Sequence, residues 1–261
     1  MTNRKTYLTD LQDSEWAVIE PELPKANQRG RPRKHSLREI LNAIFYVVKN
    51  GCVWAALPHD LPAYKTVYGY FRAWCLSGLW KRVNDCLRRL VRRKAKRRVN
   101  PSAAIIDSQA VKSGEGGVER GFDVGKLTWG RKRHILVDTL GLLLGVLVSS
   151  AGVQDRDGAR SLFEQICHDP WRRMQKVWAD GAYAGELIRW LQHLLGWTLE
   201  IVDKLPGHKG FQVLPRRWVV ERTFAWITRN RRLARDYERL PRHSEAFIYA
   251  AMIRLMLKRL P

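Results

Sequence analysis

Acidic residues are scarce in this chain. Its 261 residues carry 25 Asp and Glu against 47 Lys and Arg, a formal charge of +22. An excess that large points to a polyanionic partner, of which nucleic acid is the commonest. A ribosomal or merely basic protein would explain the charge equally well. Cysteine is scarce too. Cys52, Cys75, Cys86 and Cys167 form no CxxC pair and have no His at zinc-finger spacing. That argues against a structural zinc site and for reduced thiols in a cytosolic protein. Met1-Thr2-Asn3-Arg4-Lys5 leads into no apolar segment, so no signal peptide is expected. The longest apolar stretch, Ala246 to Leu257, is interrupted by Arg254 and is too short to span a bilayer. What is plentiful is tryptophan: eleven residues, enough to expect a substantial core.

The first hundred residues read as helices. Thr9 with Gln12 reads as a capping box opening a helix through Trp16 and Ile19, which stops near Pro21. A basic linker, residues 25–34, follows. Ser36 with Glu39 is a second box, for a helix from Leu37 to Asn50 that Gly51 ends. A third helix is expected over about 63–76 and a fourth from Leu79 into the basic run 88–98. Two helices joined by a short turn, the second mixing basic and aromatic residues, fit a helix-turn-helix, as would any small helical bundle.

From Pro101 the pattern changes to strands. They are expected at 103–107, 133–138, 142–149, 177–180 and 197–202, with helices at 155–166, 185–195, 215–232 and 244–258. Three strands, then alternating helices and strands, give a mixed α/β sheet flanked by helices. The expected division is a helical DNA-binding region, 1–100, and an α/β catalytic domain, 101–261.

Against so basic a background three acids stand out. Asp107 and Asp180 each end an apolar run that reads as a buried strand, and Glu221 lies on an amphipathic helix. Singly each has an ordinary explanation: Asp after a strand is often a turn former, and a helical Glu is often an exposed charge paired with Arg217. Together they suggest a site that gathers divalent cations beside a phosphate backbone. Two Mg²⁺ ions about 4 Å apart activate an attacking oxygen and neutralise the leaving one. Mg²⁺ is hard and is held by carboxylates and water, so three carboxylates suffice. Metal and proton should then compete. Asp138, Asp155 and Asp157 read as turn or cap residues.

The order of these segments resembles a known family. Asp10 to Pro24, Gly51-Cys52-Val53-Trp54, Ile106-Asp107-Ser108-Gln109, Gly130-Arg131-Lys132-Arg133-His134, Ala179-Asp180-Gly181-Ala182-Tyr183 and Arg217 to Trp226 with Asn230-Arg231-Arg232 are similar to transposases of the DDE class, the insertion-sequence 5 family. The likeness covers nearly the whole chain. It implies a ribonuclease H-like core with Asp107, Asp180 and Glu221 as metal-binding triad. It also implies Mg²⁺-dependent (or Mn²⁺-dependent) nicking at the ends of a mobile element, then attack by the freed 3′-hydroxyl on target DNA. The implied setting is the bacterial cytoplasm, on the nucleoid. One departure stands out: Arg217 matches the family's third motif, whereas Leu214 and Thr228 occupy its Tyr and Lys positions. Arg229 and Arg231 are the candidates to supply that charge.

Double-stranded DNA is the expected partner, held by Lys and Arg on phosphates. The candidates in the basic run are Arg92, Arg93 and Lys94; those on the last helices are Arg217, Arg222 and Arg229. Lys65, Tyr68 and Arg72 are spaced to face one groove. Arg31 and Arg33 resemble a minor-groove arm, though a basic linker accounts for them as well. Trp129 and the basic segment Arg131-Lys132-Arg133-His134 are candidates to hold DNA beside the catalytic acids; Arg133 and His134 read equally as outward positions of a strand. Joining two element ends needs two active sites, so a dimer or higher assembly on DNA is expected. Two rival readings remain: a plain metal-dependent endonuclease on the same fold, and a catalytically dead DNA-binding derivative.

Overall fold

The computed structural model describes residues 4–25, 32–169, 171–202 and 216–260. Helix α1 spans Asp13–Ile19, starting about one turn later than expected: Gln12 is its N-cap, reciprocated by Glu15, and Thr9 is buried outside the helix. Helix α2 spans Leu37–Asn50. The Ser36 hydroxyl accepts from the Glu39 N–H at 3.3 Å, as the sequence suggests, but the Glu39 carboxylate turns to Arg4 and Asn42. Gly51 ends α2 at φ 74°, where a side chain would be strained. Helices α3 (Tyr64–Leu76) and α4 (Leu79–Lys94) follow, joined through Ser77-Gly78.

The sheet comprises β1 (Ala103–Lys112), β2 (Gly121–Asp123), β3 (Thr128–Asp138), β4 (Leu143–Ser150), β5 (Lys176–Ala179) and β6 (Thr198–Ile201). Strand β1 is central. It pairs antiparallel with β3 and parallel with β5, which pairs parallel with β6. On the other edge of β3 lie β4 and the short β2. Helices α5 (Asp155–Ile166), α6 (Glu186–Leu195), α7 (Trp218–Thr228) and α8 (Pro241–Leu257) complete the chain.

Strands β1 and β3 are longer than their apolar runs. Ser108 to Lys112 and Thr128 to Lys132 look like loop by composition, yet they pair in register from Ser108↔His134 to Lys112↔Gly130. Asp107 therefore lies mid-strand, not at a strand end. The two faces of the sheet bury different partners, as a period of two requires. Ala104, Ile106, Leu136 and Leu144 pack with α5 and α6. Ile105, Ile135, Val137, Val146 and Val148 pack with α2, α3, α4, α7 and α8 in a single core that reaches back to Leu11. Helix α8 runs through that core: Phe247, Ile248, Ala250 and Ile253 are fully buried, and Phe71 stacks on Phe247 at 4.5 Å. This explains why its sequence is apolar all round. Among the described residues no helix is long and apolar enough to cross a membrane.

Candidate active site

Register alone sets two of the acids abreast. The last β1–β5 pair is Ile105↔Trp178. Two residues further along come Asp107, still on β1, and Asp180, just past the end of β5, on the same face of the sheet as that pair. Beyond it β1 stays with β3 while β5 ends, so a cleft opens at the carboxyl ends of parallel strands, the usual place for a ligand in such sheets. Asp107 faces the side occupied by α7 rather than that of α5 and α6.

The electrostatics follow. Burial, and next to it the charge of Asp180, push the Asp107 carboxyl up to about 6, against the backbone N–H of Ser108 donated at 2.7 Å. Arg217 and Lys126 pull in the other direction. Asp180 caps a single 3-10 turn, accepting from the Ala182 N–H at 3.0 Å, and receives the Arg217 guanidinium at 3.3 Å. Next to it the Arg216 guanidinium lies 4.4 Å from the centroid of the Trp178 ring and 3.7 Å from Glu200. Glu221 is exposed on the first turn of α7, one turn after Arg217. Its carboxylate forms no ion pair among the described residues, because Arg217 is turned to Asp180.

The structure thus brings Asp107 and Asp180 together and leaves Glu221 outside. Among the described residues no three His, Cys, Asp or Glu side chains are grouped closely enough to hold a metal ion. The donor set still suits a hard cation. A carboxyl with a raised pKa, a second carboxylate beside it and an arginine bridging the shortfall form a site whose charge a cation would balance.

One cleft residue has no signal in the sequence. Lys126 lies in the β2–β3 turn, and its ammonium donates to the Ser108 carbonyl at 3.2 Å and the Ser108 hydroxyl at 3.3 Å, beside Asp107. Ser108 also donates to Asp155 at 2.7 Å, so Asp155, expected to be a simple cap, supports β1 from its other face. Asp138 is structural as expected: it is buried, accepts from the Leu140 and Leu142 N–H groups, and pairs with Arg92 at 2.6 Å.

Several basic candidates for DNA contact turn inward, which corrects the sequence reading. Arg92 is taken by Asp138 and the Arg98 carbonyl. Arg131 is fully buried, paired with Asp236 at 3.2 Å and donating to the carbonyls of Val118, Glu238 and Arg239. Lys132 is held by Asp123 at 3.0 Å and Asp155 at 2.9 Å. Arg133 and His134 are buried as well. Tyr68 is half-buried, edge-on to Trp54 and His243. Arg33 stays exposed while donating to the carbonyls of Pro24 and Lys25 at 2.9 and 2.7 Å. Lys65, Arg72, Arg93, Lys94 and Arg229 are exposed, Lys94 also donating to the Leu260 carbonyl at 2.7 Å. Arg31 and Leu214 lie outside the described residues.

The fold and the cleft define a class: a basic α/β protein with two carboxylates abreast where its parallel strand pairing ends. Comparison with known proteins makes this specific. Residues 99–256 match the family described as the transposase DDE domain, and residues 11–84 match putative transposases of the IS4/5 family. The first match covers more than half of the chain, which belongs to the DDE transposase family. Membership implies a ribonuclease H-like α/β fold, with which the mixed sheet agrees. Two proteins of Burkholderia cepacia are similar. One is the insertion element IS402 uncharacterized 16.2 kDa protein, 28% identical over 109 residues, 40% of this chain and 73% of that one. The other is the putative transposase for insertion sequence element IS402, 32% identical over 132 residues. That match spans 48% of this chain and 60% of the relative. No solved structure matches the chain significantly.

Proposed function

We propose that this protein is an insertion-sequence transposase that nicks DNA at the ends of its element and joins the freed 3′-hydroxyl to target DNA. Within its family we place it in the insertion-sequence 5 branch. The observation that carries the reading is Asp107 and Asp180 set abreast by strand register, with Arg217 between α7 and Asp180.

Asp107, Asp180 and Glu221 are the proposed ligands for Mg²⁺ or Mn²⁺. When bound, the ions would supply an activated oxygen nucleophile and offset charge on the leaving oxygen. The rest is done by the chain. Asp107 is fixed by its strand and by the Ser108 N–H, so it holds one position with little reorganisation. Arg217 keeps Asp180 oriented and is released toward a phosphate once the carboxylate is neutralised otherwise. Glu221 would reach the cleft by a small movement of α7, or of its own side chain, when DNA and metal arrive. Lys126 is within reach of a phosphate at Asp107 and supplies a cation that Thr228 does not. Exposed Lys65, Arg72, Arg93 and Arg229 would hold DNA phosphates, α3 serving as the element that meets a groove. The division near residue 100 is proposed as a functional one. Action at two ends requires at least two copies on DNA.

The test is incubation of labelled element ends with and without Mg²⁺. Wild type should yield nicked and then joined products only with the ion, and Asp107→Asn should reduce both by a factor on the order of 10³ or more. Unchanged cleavage by Asp107→Asn would rule out the assignment. Cleavage without joined products would indicate a plain endonuclease.

A further inference from the structure

Beyond Glu221, Trp218, Arg222 and Trp226 recur every four residues and share one stripe of α7. The Arg222 guanidinium lies 4.4 Å from the Trp218 ring centroid and 4.7 Å from that of Trp226. Arg259, just past α8, lies 4.4 Å from Trp226. With Lys94 and Val91 of α4, Ala95 and Leu140, the side chains of Arg222, Trp226 and Arg259 line an open cavity of about 350 Å³.

The lining holds three cations and no carboxylate. Lys94 donates to the Leu260 carbonyl at 2.7 Å. Arg222 donates to the Leu140 carbonyl at 3.1 Å, and its buried Nε has no partner. Among the described residues neither Arg222 nor Arg259 is in an ion pair. Asp138 acts on both from a distance but is already bonded to Arg92 at 2.6 Å. The carboxyl ends of α4 and α8 offer only partial compensation. Two like charges held together with no counter-ion among the described residues are unfavourable until an anion arrives. Trp226 already carries both guanidinia at its ring, so it orients cations rather than stacking a base.

We infer that this cradle, Arg222 and Arg259 about Trp226 with Lys94 at its rim, binds a backbone phosphate of the DNA strand that leaves the cleft across α7. The inference rests on the proposed function, since Arg222 directly follows Glu221. A phosphodiester brings the missing charge and oxygens that accept from both guanidinia.

The test uses the full chain and a labelled duplex, with affinity measured by fluorescence anisotropy at several salt concentrations. Arg259→Gln should lower the steepness of log K against log salt by about one and weaken binding alike for all sequences. Ala95→Glu places a carboxylate in the lining. It should raise the unfolding temperature while weakening DNA binding, opposite movements that a purely structural role would not give. An unchanged slope in folded Arg259→Gln, or no effect of Ala95→Glu on either quantity, overturns the cradle. So does stabilisation by inorganic phosphate that Arg259→Gln abolishes without altering the DNA slope, for the cradle then serves free phosphate. If the cradle fails while Asp107→Asn still abolishes cleavage, the catalytic reading stands. If Arg259→Gln behaves as expected and Asp107→Asn cleaves normally, that reading alone falls.

Discussion

Asp107 is the residue on which the cleft turns. Its folded pKa, about 6, lies above the ~3.9 of a free Asp, so the fold disfavours its ionised form. The sign follows from proton linkage. Below pH ~4 the group is protonated folded and unfolded and contributes nothing; destabilisation grows between ~4 and ~6 and is constant above. Asp107→Asn should therefore stabilise the metal-free protein by on the order of 1–2 kcal/mol at pH 8, allowing for solvent access, and change little at pH 4. Denaturant unfolding at the two pH values checks this; a destabilised variant at pH 8 would contradict it. At this scale Asp107 and Asp180 stand out in the sequence, because an Asp closing an apolar run in a basic chain is conspicuous; Glu221, which the structure leaves apart from them, carries no such mark. The fate of the basic residues was not. Arg131 is buried by Asp236, 105 positions away, and Arg92 by Asp138, 46 away. A positive charge reads the same in sequence whether it meets water or a distant carboxylate. Lys126 was invisible for the converse reason: only the fold of a three-residue strand brings it to Ser108.

Among the elements, helices were read best. Their caps are local chemistry, as Ser36 and Gly51 show for α2. Strand limits were read poorly, since pairing and not composition carries β1 to Lys112 and starts β3 at Thr128. Packing between elements depends on contacts with no sequence signature. Gly158 of α5 lies against His134 of β3, where an added Cβ would come 2.1 Å from the ring. His134 cannot retreat easily: it is buried, bonded to Ser149 at 2.9 Å, and burial holds it neutral with a pKa of about 4. Gly158→Ala should cost about 2–3 kcal/mol. A loss below ~0.5 kcal/mol in thermal unfolding would show that α5 packs more loosely than described.

Across the whole molecule, the helices before residue 100 and the sheet share one core, through Ile105, Ile135 and Val146 on one side and Val67, Phe71 and Leu87 on the other. A division by composition did not reveal this, because the join is made by α8, which comes last in the chain. Residues 101–261 alone should fail to fold stably, and the full chain should unfold in one transition. A soluble, cooperatively folding fragment would contradict the shared core. The claim on which the function rests is that Asp107 and Asp180, joined by Glu221 on DNA, gather the cations of the reaction. It is tested most directly by electron paramagnetic resonance of Mn²⁺ titrated into the full chain bound to an element-end duplex. The account predicts bound Mn²⁺ in wild type and its loss, by at least tenfold in affinity, in Asp107→Asn and Asp180→Asn. Binding that both variants retain unchanged would contradict it.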